Sequence, residues 1–357
     1  MRLKTALLAS AAGVTVAGTA ASIGTILIGR ALWKRVRAVP GFAGKVVVIT
    51  GGSRGLGFAM AQEFAVRGAK LVICGRDQET LHEAETRLAG MGAPVLAVPC
   101  DVSDKSQAAH LIQEATDRFG GVDVLVNNAG TIAVGPIEAQ TLADFRMAMD
   151  TMFWGTVYST LAVLPQMIRR GDGRVVNITS IGGKVAVPHL VPYCCAKFAA
   201  MGFSEALRAE LGKNHIKVTT VVPGLMRTGS HANAIFKGDH EKEYGWFSLA
   251  ATLPVSAMDA HRAARRIVDA AARGAAEVIL TPQAKLLALA HGIAPGSVAD
   301  MLGLANRVLP GTGSYDQHHF TGKKSESPVT RSFLTALGRS AGRELNQHPE
   351  YGGEFAS

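Results

Sequence analysis

Residues Lys45–Gly57 read "KVVVITGGSRGLG". Six residues rich in valine and isoleucine, with no polar alternation, run into a glycine-rich turn and then into the helical window Phe58–Arg67. A strand that is apolar on both faces needs cover on both, as in a parallel sheet flanked by helices. Gly51, Gly55 and Gly57 let the backbone approach a ligand closely, and the N-terminus of the next helix offers unpaired N–H groups and a favourable dipole for a pyrophosphate. The spacing differs from GxGxxG, but the position directly after the first strand supports a dinucleotide site.

The same texture recurs downstream in "KLVICG" (70–75), "VLAVPC" (95–100), "DVLVNN" (123–128), "RVVNIT" (174–179), "KVTTVV" (217–222) and "EVILT" (277–281). Windows of helical spacing, such as Gln78–Ala89, separate them. Repeated strand and helix units of this kind predict an α/β, Rossmann-type doubly wound domain: a mostly parallel, seven-stranded sheet with helices on both faces. At the end of the second run stand Gly75 and Arg76. An acidic side chain there suits the ribose 2′-hydroxyl of NAD, and an arginine suits a 2′-phosphate. Arg76, with Arg54 in the turn, points to NADP(H), while Asp77 keeps NAD(H) open.

The 357 residues are 48% apolar and 18% charged, enough for a large core. The net charge of +9 is local, because residues 1–45 carry seven Lys or Arg and no acid, leaving 30 basic against 28 acidic residues elsewhere. With no long basic run or aromatic interleaving in the body of the chain, a nucleic-acid partner is not expected. Cys74, Cys100, Cys194 and Cys195 form no CxxC pair, which suits a reducing compartment, and the scattered histidines suggest no metal site. His318 and His319 lie in a polar stretch that reads as a solvated loop.

Residues 5–29 are uncharged. As a helix rising about 1.5 Å per residue they would cross a hydrocarbon core of roughly 30 Å. A cleaved targeting signal competes with this reading, but the following Arg30, Lys34, Arg35 and Arg37 look like the flank of an anchor, and their side of the membrane is expected to be cytosolic. The expected organisation is thus an anchor over 1–29, a basic linker over 30–44, an oxidoreductase domain over 45–283 and a C-terminal extension over 284–357 that is partly an amphipathic helix. That helix either packs on its own domain or lies at a membrane surface.

"YCCAKF" (193–198) places a phenol and an amine at i and i+4, side by side on a helix. Alone, this reads first as a plain helix face and only second as half of an active site. Taken with TGxxxGxG at Thr50–Gly57, Asp101 and Val102, "NNAG" at Asn127–Gly130, Ser180 thirteen positions before Tyr193, and Pro223 and Gly224 followed by Thr228, the ordered set resembles the short-chain dehydrogenase/reductase family over roughly Lys45–Pro282.

The resemblance implies that Tyr193 exchanges a proton with the substrate oxygen, that Ser180 hydrogen-bonds that oxygen, and that Lys197 holds the nicotinamide ribose and favours the tyrosinate. It assigns cofactor contacts to Gly51, Ser53, Arg54, Gly55, Leu56, Gly57, Arg76, Asp101, Val102, Asn128, Ala129, Gly130, Pro223, Gly224 and Thr228, besides Tyr193 and Lys197. Homo-oligomers are expected on family likeness alone. In "DTMFWGTVYST" Met152 stands where the family usually has asparagine, which weakens the expectation of full catalytic competence. The segment Gly229–Pro254, which in the family covers the substrate, contains Phe236, Tyr244, Trp246, Phe247 and Leu249. These read equally as the lining of a lipophilic pocket or as core or dimer-contact residues. The expected substrate is a lipophilic alcohol or carbonyl such as a steroid, retinoid or long-chain lipid. Small carbonyl or ketoacyl substrates, and a catalytically weak sensor or scaffold, are the rival readings.

Overall fold

The computed structural model describes residues 41–313, 317–328, 330–332 and 335–347. The expected anchor at 1–29 and most of the basic linker therefore lie outside the described residues. Among those described, no helix is long and apolar enough to cross a membrane.

Seven strands form one sheet: β1 (Val46–Ile49), β2 (Lys70–Gly75), β3 (Val95–Pro99), β4 (Val124–Asn127), β5 (Gly173–Ile178), β6 (Ile216–Val222) and β7 (Glu277–Ile279). Their order is β3-β2-β1-β4-β5-β6-β7, and every pairing is parallel. The apolar runs explain this directly. Along β1, Val47 and Ile49 enter one core layer while Val46 and Val48 enter the other, because successive side chains point to opposite faces. Helices α1 (Gly55–Val66) and α2 (Gln78–Gly90) cover the first face, and α3 (Lys105–Phe119) covers the second.

Helix boundaries follow local chemistry. Asp77 and Asp104 accept backbone N–H groups at the starts of α2 and α3, and Gly120 takes the left-handed conformation that ends α3. Strand order reverses between β1 and β4, so the crevice at their C-terminal ends is where a sheet of this topology binds ligands. The glycine-rich turn and Asn127–Gly130 both emerge there.

Helix α4 (Leu142–Met149) continues through a π-turn at Asp150–Trp154 into α5 (Gly155–Arg170), and α6 (Val191–Leu211) carries the tyrosine and lysine. Beyond β6, α7 (His240–Thr252) leads to α8 (Ala260–Arg273), and after β7 come α9 (Pro282–Ile293), α10 (Pro295–Asn306) and α11 (Ala336–Glu344). A small second sheet joins Ala133–Val134, Ile235–Phe236 and Phe320–Thr321.

His319, just before the last strand of that small sheet, is an exposed loop residue, as its solvated-loop reading expects, yet it has a buried partner. The ring Nε2 is 2.9 Å from Asp144 Oδ1, and Lys237 Nζ is 2.6 Å from Asp144 Oδ2 with both partners of the second pair fully buried. Burial works against the Asp144 charge, yet hydrogen bonds from His319, Lys237 and Thr141 hold its carboxyl well below the usual carboxylate range. This cluster ties the start of α4 to the segment that leads into α7.

Candidate active site

Tyr193 and Lys197 stand one turn apart on α6, as their spacing requires. Ser180 follows the end of β5 after one intervening residue and caps a short 3-10 turn, its Oγ accepting from the Gly182 N–H at 3.0 Å. Gly182 and Gly183 allow that turn to press on α6: a side chain on Gly183 would begin 2.6 Å from the Lys197 carbonyl oxygen, and one on Gly182 would begin 3.2 Å from the Tyr193 ring. The close approach sets the Ser180 hydroxyl near enough to the Tyr193 phenol to favour its ionised form. Lys197, only 5% exposed, donates from Nζ to the Ile178 carbonyl at 2.8 Å, and its Nζ is 5.8 Å from the Tyr193 ring centroid.

Burial dominates the electrostatics here. It pushes the Tyr193 phenol up to about 12, opposed by the neighbouring Ser180 hydroxyl, and pulls the Lys197 ammonium down to about 8.

The glycine-rich turn is shaped for close approach. Gly51 and Gly55 have φ of +62° and +58°, and a side chain on Gly57 would start 2.1 Å from the Gly51 carbonyl oxygen. No side chain caps α1. Asn128 braces the turn, its Nδ2 donating to the carbonyls of Thr50 and Gly51 at 3.0 Å each. The N–H groups of Asn128 and Ala129 donate to Thr50 Oγ1. Asn127 bonds Thr160 and Asn177 and so ties β4 to its neighbours. Ser53 packs on Gly75, where a side chain would begin 2.8 Å from its Oγ. At the end of β2, Arg76 lies 3.8 Å from Asp101, and Asp77 is committed to capping α2 through a 2.7 Å bond from the Thr80 N–H. Buried Val102 follows Asp101 and packs on Gly155. The Pro223 carbonyl accepts from Ile181 N–H at 2.8 Å, Gly224 backs onto Thr281, and the buried Thr228 donates its hydroxyl to Ser230. The residues picked from the strand ends thus gather along the C-terminal ends of β1 to β6.

A model of the short chain dehydrogenase family matches residues 45–237. The chain belongs to the short chain dehydrogenase family. It is 41% identical over 209 residues to the dehydrogenase/reductase SDR family member 7B of Bos taurus, covering 57% of this chain and 64%, just under two thirds, of that relative. It is 36% identical over 239 residues to an 11-beta-hydroxysteroid dehydrogenase A of Sesamum indicum, 65% of this chain and 67% of that one. The fold also matches the crystal structure of a short chain dehydrogenase/reductase from Burkholderia phymatum in complex with NAD. The TM-score is 0.65 at 23% identity, covering 72% of this chain and 95% of that one.

Against the family pattern, Met152 is the departure, and the structure gives it a packing role. The side chain is 1% exposed and clusters with Ala148 and Ala196 beside Tyr193. The backbone π-turn forms without an asparagine, with Thr156 Oγ1 donating to the Met152 carbonyl at 2.9 Å. Met152→Ala is expected to destabilise the protein by about 2–5 kcal/mol, read as a fall in the denaturant midpoint with an unchanged slope.

Of the short chain dehydrogenase's covering segment, Phe236, Tyr244 and Phe247 belong to a buried cluster with Val134, Leu190 and Cys194, so they are core rather than pocket lining. Trp246 is half-buried at its edge, with its indole N–H donating to Glu243 Oε2 at 2.7 Å. The other oxygen of the buried Glu243 is 2.6 Å from His189 Nδ1, on the loop between Ser180 and Tyr193. Sequence reading missed this chain of contacts. His189 lies within the Ser–Tyr interval, but nothing local pairs it with a residue 54 positions away.

Proposed function

We propose that this chain interconverts an alcohol and its carbonyl using a nicotinamide dinucleotide, with NADP(H) preferred and a lipophilic substrate. The observation that carries the reading is the cluster of buried Ser180 and Lys197 with half-buried Tyr193 at the same sheet edge as the glycine-rich turn. The turn fits a dinucleotide: two left-handed glycines, a third position with no room for a side chain, and a helix N-terminus without a side-chain cap. Gly51, Ser53, Gly55, Leu56 and Gly57 would hold the phosphates, Asp101 and Val102 the adenine side, and Ala129, Gly130, Pro223, Gly224, Thr228 and Lys197 the nicotinamide side. When bound, the dinucleotide supplies or accepts the hydride.

The chain's own residues manage the proton. Tyr193 gives its phenolic proton to the carbonyl oxygen in reduction, Ser180 orients that oxygen, and the Lys197 ammonium favours the tyrosinate that remains. NADP(H) is supported by the pair Arg54 and Arg76. Burial first, then the adjacent Arg76 guanidinium, lowers the Arg54 value, so the two guanidiniums stand close to one another, with Asp101 3.8 Å from Arg76. Asp77, the residue that would favour NAD(H), is occupied as a helix cap.

A lipophilic substrate is supported by the half-buried Trp246, which packs on the same apolar cluster as Tyr193, and by the hydroxysteroid dehydrogenase among the relatives. The uncharged stretch 5–29 supports an anchored protein, and the basic Arg30, Lys34, Arg35 and Arg37 that follow it support a catalytic domain on the cytosolic side. With the full-length protein in detergent, NADPH oxidation against aldehydes from propanal to dodecanal should give kcat/KM rising by up to about fourfold per methylene, the limit set by burying about 0.8 kcal/mol each. A fall with chain length would favour the small-carbonyl or ketoacyl reading instead.

A further inference from the structure

The C-terminal segment returns to the glycine-rich turn. Helix α11 docks through its glycines: a side chain on Gly229 would start 2.3 Å from Gly342 Cα, and one on Gly338 would start 2.5 Å from Thr252 Oγ1. After the helix, Leu345 enters the main core and its carbonyl accepts from the Gly55 N–H at 2.8 Å. Asn346, 0% exposed and left-handed at φ +60°, donates from Nδ2 to the Ser53 carbonyl at 3.0 Å and the Thr80 carbonyl at 2.9 Å. Gln347 Oε1 accepts from Asn233 Nδ2 at 2.7 Å, and its Nε2 stands 2.7 Å from where a Gly55 side chain would begin. Arg87 on α2 fastens the same strap by donating to the Glu344 carbonyl at 2.6 Å.

The division of labour along the turn is clear. Its first half is fixed from the sheet, by Asn128 on Thr50 and Gly51 and by the Gly52 N–H on the Cys74 carbonyl. Its second half, Ser53–Gly55, is fixed by the strap. We propose that Leu345–Gln347 is part of the dinucleotide site, with Asn346 a positioning residue that holds the second half of the turn in its phosphate-binding shape and Gln347 bridging that turn to the Thr228–Asn233 segment. The proposal rests on the dinucleotide reading above. A turn that must be ordered at the moment of binding loses affinity by the cost of ordering it, whereas one ordered in advance does not. Preorganisation by the strap should therefore appear in nucleotide affinity and not in the chemical step.

The test uses the full-length protein and NADPH as the probe, followed by fluorescence titration. Asn346→Gly keeps the left-handed backbone and deletes both donors, and Asn346→Asp aims a carboxylate at two carbonyls. Both should raise the NADPH Kd by about tenfold, with the kinetic loss in KM for NADPH rather than in kcat. A strap that merely supports the fold would lower the active fraction and the melting temperature without moving the Kd of the folded fraction, and a Kd within about twofold of wild type in both variants overturns the proposal. If neither Asn346 variant folds, Gln347→Ala carries the test: a raised Kd supports the strap and an unchanged one overturns it. Wild-type protein that binds neither NADPH nor NADH would remove the dinucleotide reading itself, and the strap's role with it.

Discussion

Tyr193→Phe is expected to lower kcat/KM for carbonyl reduction by about two to four orders of magnitude, the usual worth of a positioned proton donor, while NADPH binding stays within about twofold. The substitution removes one oxygen from a packed site and leaves the ring against Met152 and Gly182, so the loss is chemical rather than structural. The same account fixes a sign for pH. Reduction leaves a tyrosinate, and the ammonium that stabilises it belongs to a lysine held by burial at about 8. As pH rises through that value the cation is lost while the phenol, pushed up to about 12, keeps its proton. Reduction measured as kcat/KM should therefore fall above about pH 8. A profile flat to pH 10, or a Phe variant retaining a tenth of the activity, would remove Tyr193 and Lys197 from the chemistry.

The double variant Arg54→Ala, Arg76→Ala should weaken NADPH binding by about a hundredfold and NADH binding by no more than a few-fold. Charge-assisted bonds to an anion contribute about 1.5–3 kcal/mol each, and the half-exposed Arg76 belongs at the lower end because water screens it. With Asp77 tied to the Thr80 N–H, deleting the arginines is not expected to create a strong NADH site. Isothermal titration of both nucleotides checks this. Equal losses for the two would mean that the arginines shape the turn and do not read a 2′-phosphate.

The sheet was legible because β1 to β6 are apolar on both faces, and the site's main residues were legible because they sit at strand ends or one helical turn apart. The runs overshoot the strands where they meet the site: "KVVVIT" ends a residue past Ile49, and "EVILT" passes Ile279 into the cap of α9 at Thr281. These terminal residues turn from ladder pairing to loop and cap contacts, a change that apolar character does not encode. The aromatics Phe236, Tyr244 and Phe247 were ambiguous because pocket lining and core use the same side chains. Hidden altogether were contacts between distant polar residues, such as Asn346 with Ser53 across 293 positions, or Asp144 with Lys237 and His319. The partner of a polar residue is supplied by the fold and is not written in its neighbours along the chain. Asn346 did carry a local sign, an asparagine placed just after a helix where a left-handed residue is favoured.

The most direct measurement supplies the full-length protein with NADPH deuterated at the transferable C4 position together with a long-chain aldehyde, and reads the product by mass spectrometry. One deuterium on the carbinol carbon, absent with Tyr193→Phe, is the predicted result. NADPH bound tightly, with no deuterium delivered to any carbonyl of the series, would contradict it and leave a dinucleotide-binding protein without this chemistry.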